Sequence, residues 1–181
     1  MTRRAINREK ITLGDTKISI VGDCDADTSW LGQYSDTPKP GSIIRETGEF
    51  IEDLPEDEEL PQRGREYRFF HPYAAGERIG SDDYRKYGKR DYDRMESLNA
   101  GQWCFVGVEI TTDVIRKRRS DEYPLIDIAR ASIWGIESDA DRAYMKSVID
   151  DLKSELRVEL LQRGATSSQI TKSFKNAIEV E

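Results

Sequence analysis

One stretch, from Trp103 to Arg163, limits what this chain can fold into more than any other. Cys104, Val106, Val108 and Ile110 alternate with Phe105, Gly107, Glu109 and Thr111. A period of two is the signature of a strand with one buried face. Arg116, Lys117, Arg118 and Arg119 interrupt the pattern, and Leu125 to Trp134 is extended in character again. A parallel pair would need a crossover of a dozen or more residues, so the short link through 116–122 predicts an antiparallel pair. Gly135-Ile136-Glu137-Ser138-Asp139 must then turn the chain. Ser138 is the expected N-cap of a helix, with Asp141 three residues on in a capping-box-like role. That helix is expected to run to about Arg163 and stop at Gly164. Met145, Val148, Ile149, Leu152, Leu156 and Leu160 form its apolar stripe. Val106, Val108, Leu152 and Leu156 should therefore meet in one interior.

The rest of the chain extends this framework. Lys10–Gly14 and Lys17–Val21 are β-type runs about Gly14-Asp15, which reads as a hairpin. Tyr67, Phe69, Phe70 and Tyr73 mark an aromatic strand. Ser81 is a second N-cap, with Asp82 and Asp83 in the first turn where the helix dipole favours them. Tyr84, Tyr87, Tyr92, Met95 and Leu98 share a broad face of that helix, Gly88 weakens its middle, and Gly101 suits its end. Thr166 and Gln169 form a third capping signal, ahead of Ile170, Phe174, Ala177 and Ile178 on one face. The predicted class is α+β, a mostly antiparallel sheet packed against one long helix and one or two shorter helices. At 181 residues the expectation is a single domain over 1–181, with an acidic, mobile loop at 46–62 inside it.

Charge narrows the function classes. A net charge of −7 argues against general nucleic-acid binding, which needs a basic face. Glu46 to Glu59 holds carboxylates with no lysine or arginine among them. Glu52, Asp53, Glu56, Asp57, Glu58 and Glu59 are the candidate partner-binding residues, able to imitate phosphates before a basic groove on another protein. The two cysteines, Cys24 and Cys104, make no disulfide framework, and Cys104 reads as a buried thiol. No apolar segment follows Met1-Thr2-Arg3-Arg4, and no run approaches the roughly 20 residues that span a bilayer. The expectation is a cytoplasmic protein with no membrane contact.

Other constellations are weaker. Asp23, Asp25 and Asp27 alternate as ligands of a hard divalent cation would, and would serve a metal-dependent hydrolase. The calcium-loop template fails on them, because Thr28 and Tyr34 stand where glycine and glutamate belong. An Asx-rich solvated loop is the plainer reading. Gly32-x-x-Ser35-Asp36 echoes Gly135-x-x-Ser138-Asp139, either as a paired site bringing Trp30 and Trp134 together or as turn-and-cap chemistry, which is favoured. His71 is the sole histidine, so any Ser–His or Cys–His pair must use it. One histidine and two distant cysteines are a poor zinc set. Arg116, Lys117, Arg118 and Arg119 form a basic patch at a hairpin tip. With the tyrosine-rich helix it would serve an accessory nucleic-acid binder by phosphate contacts and stacking. Neither a metal nor another cofactor is expected.

Three blocks carry a resemblance: Asp27-Thr28-Ser29-Trp30-Leu31-Gly32-Gln33-Tyr34-Ser35-Asp36; Tyr92-Asp93-Arg94-Met95-Glu96 with Trp103-Cys104-Phe105-Val106-Gly107-Val108; and Ile133-Trp134-Gly135-Ile136-Glu137-Ser138-Asp139. They resemble blocks of small acidic proteins of phages and mobile elements to which no activity is assigned. The resemblance implies a genomic context and carries no residue roles. Accessory proteins of that kind often bind host proteins. The expectation is thus a non-enzymatic protein that docks on a host protein. Inhibition of a defence nuclease, as by an anti-CRISPR protein, fits that role.

Overall fold

The computed structural model describes residues 10–52, 67–118 and 121–180. In chain order the elements are β1 (Lys10–Gly22), β2 (Gly32–Ser35), β3 (Ile43–Ile44), β4 (Phe69–Pro72), α1 (Asp82–Asn99), β5 (Phe105–Lys117), β6 (Leu125–Glu137), α2 (Arg142–Gln162), α3 (Ser167–Lys175) and β7 (Ile178–Val180). The fold class is α+β. The chain groups into two compact units, one of Met1–Cys24 with Cys104–Glu181 and one of Asp25–Trp103.

The first unit holds a four-stranded sheet in the order β6-β5-β1-β7. Strand β5 pairs antiparallel with both β6 and β1, and β7 adds a short parallel edge to β1. Val106, Val108, Ile110 and Val114 point to one face and meet Val148, Leu152, Leu156 and Leu160 of α2 and Ile170 of α3 in a single core. The period-two and period-3.6 stripes predicted this meeting. Leu156, Leu160 and Ile170 are fully enclosed, and each such side chain contributes about 1.5–3 kcal/mol of burial free energy. Two small residues, Ala129 and Ala131, stand beneath the helix on β6. Below them Asp127 forms an ion pair with Arg163, whose other guanidinium nitrogen reaches Glu159 at 2.5 Å.

Several local expectations need correction. Gly14-Asp15 is no hairpin turn: β1 runs unbroken from Lys10 to Gly22, and these residues take up a register shift against β5. The bulge turns Thr16 into the interior, where its hydroxyl lies 2.8 Å from that of Thr112 and 2.7 Å from that of Ser173. The N-cap of α2 is Asp141, whose carboxylate accepts from the Tyr144 amide at 2.8 Å. Ser138 is committed elsewhere, since its hydroxyl accepts from the Cys104 amide at 2.9 Å. Cys104 itself is exposed, because the strand begins one residue later.

Between Val106 and Val108 the β5–β6 register slips, placing Trp134 and Gly135 opposite Gly107. Gly135 adopts φ +77°, a conformation that costs other residues dearly. The Trp134 ring lies directly on Gly107, where a Cβ would collide with it.

The second unit pairs β2 and β3 antiparallel on either side of β4. Helix α1 packs on it through Tyr84, Tyr92 and Met95. Phe70 is the hub, with ring centroids 5.3 Å from Tyr34 and 5.7 Å from Tyr92. Gly88 is a packing residue: a Cβ there would come within 3.0 Å of Pro72 and 3.3 Å of Phe50. The predicted caps at Ser81 and Thr166 are present, the latter as a full capping box in the first unit.

Candidate docking surface

Helices α2 and α3 cover one face of the four-stranded sheet. On the opposite face stand the residues of β5, β6 and β1 whose parity is the other one. Ile126 faces Ile115, Ile128 faces Asp113, Arg130 faces Thr111 and Ser132 faces Glu109. Antiparallel sheets commonly leave one face to water, and then it is polar. Here the outermost strand presents Ile126, 61% exposed, with Ile128 and Trp134 each 51% exposed. Val21, also exposed, lies across Gly107 from Trp134. Between these apolar ends Arg130 pairs with Glu109 at 3.0 Å. Over 126–131 of β6 the alanines lie under the helix and the isoleucines face outward, while Ile136 near the strand's end joins the core. Alternation alone could not assign those faces, because Ile126, Ile128, Ala129 and Ala131 are all apolar.

Strand β6 is also a sheet edge, and edges invite pairing by other chains. One edge amide is already served, since the Ile128 N–H donates to the Asp127 carboxylate at 2.9 Å.

The residues singled out for chemistry have structural partners. Asp23 accepts the Gly135 amide at 2.9 Å, closing the irregularity opposite Gly107. Asp27 accepts the amide and hydroxyl of Ser29, and these bonds, the amide first, hold its carboxyl below the usual range. Among the described residues no group of three or more His, Cys, Asp or Glu side chains could hold a metal ion. In the two Gly-x-x-Ser echoes the serines do different work: Ser35 accepts the Thr37 amide at 3.0 Å within a local turn, whereas Ser138 accepts that of Cys104 at 2.9 Å across the hairpin and caps no helix.

His71 does meet a serine. Its Nδ1 lies 2.7 Å from the Ser42 hydroxyl, which also accepts the Lys39 amide at 2.9 Å. The serine is buried, and the hydroxyl and Nδ1 share one proton-bearing contact. Burial, reinforced by Lys39, pushes the imidazole below its usual pKa. The pair fastens the 37–42 loop to β4.

In the same unit Arg45 Nε meets Glu96 at 2.9 Å, and the Tyr34 hydroxyl donates to the same carboxylate oxygen at 2.7 Å. Burial first, then this carboxylate, pushes the Tyr34 phenol well above its usual value. Asp91 is buried against the Ala74 amide at 2.8 Å, and its burial raises the carboxyl. Ala74 and Ala75 both hold positive φ, at 49° and 54°.

Of the acidic candidates, Glu52 pairs with Arg85 at 2.6 Å. Asp53, Glu56, Asp57, Glu58 and Glu59 lie outside the described residues. The acidic stretch opens in ordered backbone, with the Ile51 amide on the Ser42 carbonyl and Ile43 bridged to Phe50. In the basic candidate, Arg116 is half-buried with Nε enclosed and without a hydrogen-bond partner among the described residues. Lys117 is exposed, the Arg118 amide donates to Asp121, and Arg119 lies outside the described residues. On α1, Lys89 pairs with Asp93 at 2.8 Å, and Lys86 and Arg90 stand over the Tyr87 ring, so the charges of this helix largely answer one another.

The chain matches no family model, no curated protein and no solved structure. No helix among the described residues is long and apolar enough to cross a membrane.

Proposed function

We propose that this chain is a non-enzymatic binding protein that docks on another protein. The observation behind this reading is the sheet face opposite α2 and α3, on which Trp134, Ile126 and Ile128 are exposed among the described residues. Single exposed apolar residues are ordinary. Several large ones on one sheet face, with a tryptophan among them, have the make-up of an interface core. The titratable groups that invite a catalytic reading, His71, Asp91 and Asp23, are engaged in holding turns and loops.

The acidic stretch complements that face. Glu52, Asp53, Glu56, Asp57, Glu58 and Glu59 suit a partner with a basic groove, such as a nucleic-acid-binding effector. The resemblance to phage and mobile-element proteins favours a host protein as the partner, a defence nuclease among the candidates. Capture from host lysate tests both parts. Trp134→Ala with Ile128→Asp should abolish capture of the specific partner. Neutralising residues 56–59 to glutamine and asparagine should weaken capture and flatten its salt dependence. Capture unaltered in both variants would refute the proposal.

A further inference from the structure

The other face of the first unit carries a groove of about 690 Å³ between α2 and the β1–β7 side of the sheet. That volume lies within the range of roughly 300–1,000 Å³ found for small-molecule sites. Its floor is Ile18, Ile20, Met145, Ile149 and Val180. Its rim along α2 is basic, with Arg142, Lys146 and Lys153. A chain with a net charge of −7 thus places three cations beside an apolar trough. Two carboxylates share the lining, Asp150 about two helical turns along α2 from Arg142 and Glu179 on β7. Asp150 is held by Lys146 at 3.1 Å, and Glu179 lies on β7 opposite Ile18. Arg142 has no ion pair among the described residues.

The trough is oriented by the register. Ile20 pairs with Val108, toward the end of the sheet where α2 begins, and Ile18 pairs with Ile110 further on. Arg142 and Lys146 are one helical turn apart and flank the Met145–Ile20 end. Lys153 stands about 16 Å along the helix from Arg142, at the rise of an α-helix. A ligand that fits is long and apolar with one anionic end.

We propose that this groove binds a single-chain long carboxylate of the fatty-acid class. Its carboxylate meets Arg142, with Lys146 turning from Asp150 to join it, and its alkyl chain lies along Met145, Ile20, Ile149 and Ile18. The carboxylate takes the Arg142 end because Asp150 and Glu179 repel it from the other.

Dodecanoate, dodecanol and dodecyltrimethylammonium, the two ions below their micellar concentrations and the alcohol below its solubility limit, separate charge from chain in titration calorimetry of the full chain. Dodecanoate should bind one to one, at least tenfold more tightly than dodecanol, with the cation weakest. Arg142→Glu with Lys146→Glu should remove that preference while dodecanol binding persists. Lys153→Glu should leave dodecanoate affinity within twofold. Isotope-edited spectra should show dodecanoate shifting the Ile18 and Ile149 methyl signals, a readout independent of any variant's stability. Trp134→Ala should leave dodecanoate binding intact, which separates this site from the docking face. Equal affinity for all three amphiphiles, preference for the cation, no saturable binding of dodecanoate, or methyl signals that stay in place would overturn the proposal.

Discussion

At the scale of single residues, the informative positions are those where a side chain meets backbone at close range. Gly107 is one, since the Trp134 ring occupies the space of its missing Cβ. Gly107→Val should lower the stability of the first unit by about 1–3 kcal/mol, the usual cost of forcing atoms into filled space, as read by urea denaturation. His71 is another. Its imidazole sits below the usual value of about 6.5, so the unfolded chain takes up the proton first as pH falls. Its contribution to stability is therefore complete above about 6.5 and drains away as pH drops toward the lowered folded value. Asp91 acts oppositely and in a lower range: its raised carboxyl favours the protonated form in the fold, so its ionisation costs stability as pH rises through the carboxylate region. Denaturation midpoints between pH 8 and 5 should fall toward acid in the native chain. His71→Gln should flatten that slope, and an unchanged slope would contradict the assignment.

At the scale of elements, the sequence disclosed the long helix and its hairpin but misassigned how they are joined. Ser138 and Asp141 are both good caps, and nothing local ranks them. The choice is tertiary, because the Ser138 hydroxyl is used by the Cys104 amide across the base of the hairpin. Asp141→Ala should cost about 0.5–2 kcal/mol and fray the first turn of α2. Ser138→Ala should leave the Tyr144 amide protected, since its cap is Asp141. Amide exchange at Tyr144 distinguishes the two. The same limit explains β1. Gly14-Asp15 has the composition of a hairpin turn, and only pairing with β5 on both sides of it makes it a bulge. The docking face was hidden for a related reason: alanine and isoleucine both count as apolar, and the packing of α2 over Ala129 and Ala131 decides which one faces water.

At the scale of the whole molecule, stability should be graded. In the first unit β5 is paired along both edges and buried under α2, whereas β6 has one free edge. Native-state hydrogen exchange should therefore protect the β5 amides Val108 and Ile110 longest, ahead of Ile126 and Ile128. Leu156→Ala, which empties a fully enclosed site, should lower that ceiling by about 2–5 kcal/mol. Faster exchange at Val108 than at Ile128 would contradict this ordering.

The route of the chain through its two units also bears on how it is made. Strand β1 is synthesised before both of its neighbours, β5 being encoded from Phe105 onward and β7 at Ile178–Val180. The intervening segment, Asp25–Trp103, is contiguous and can close on itself while synthesis continues. Strand β1 must then wait, apolar side chains and unpaired amides exposed, at least until β5 has been made. Such long-range closure slows folding and lengthens exposure to aggregation. Chaperone dependence should therefore trace to this early strand.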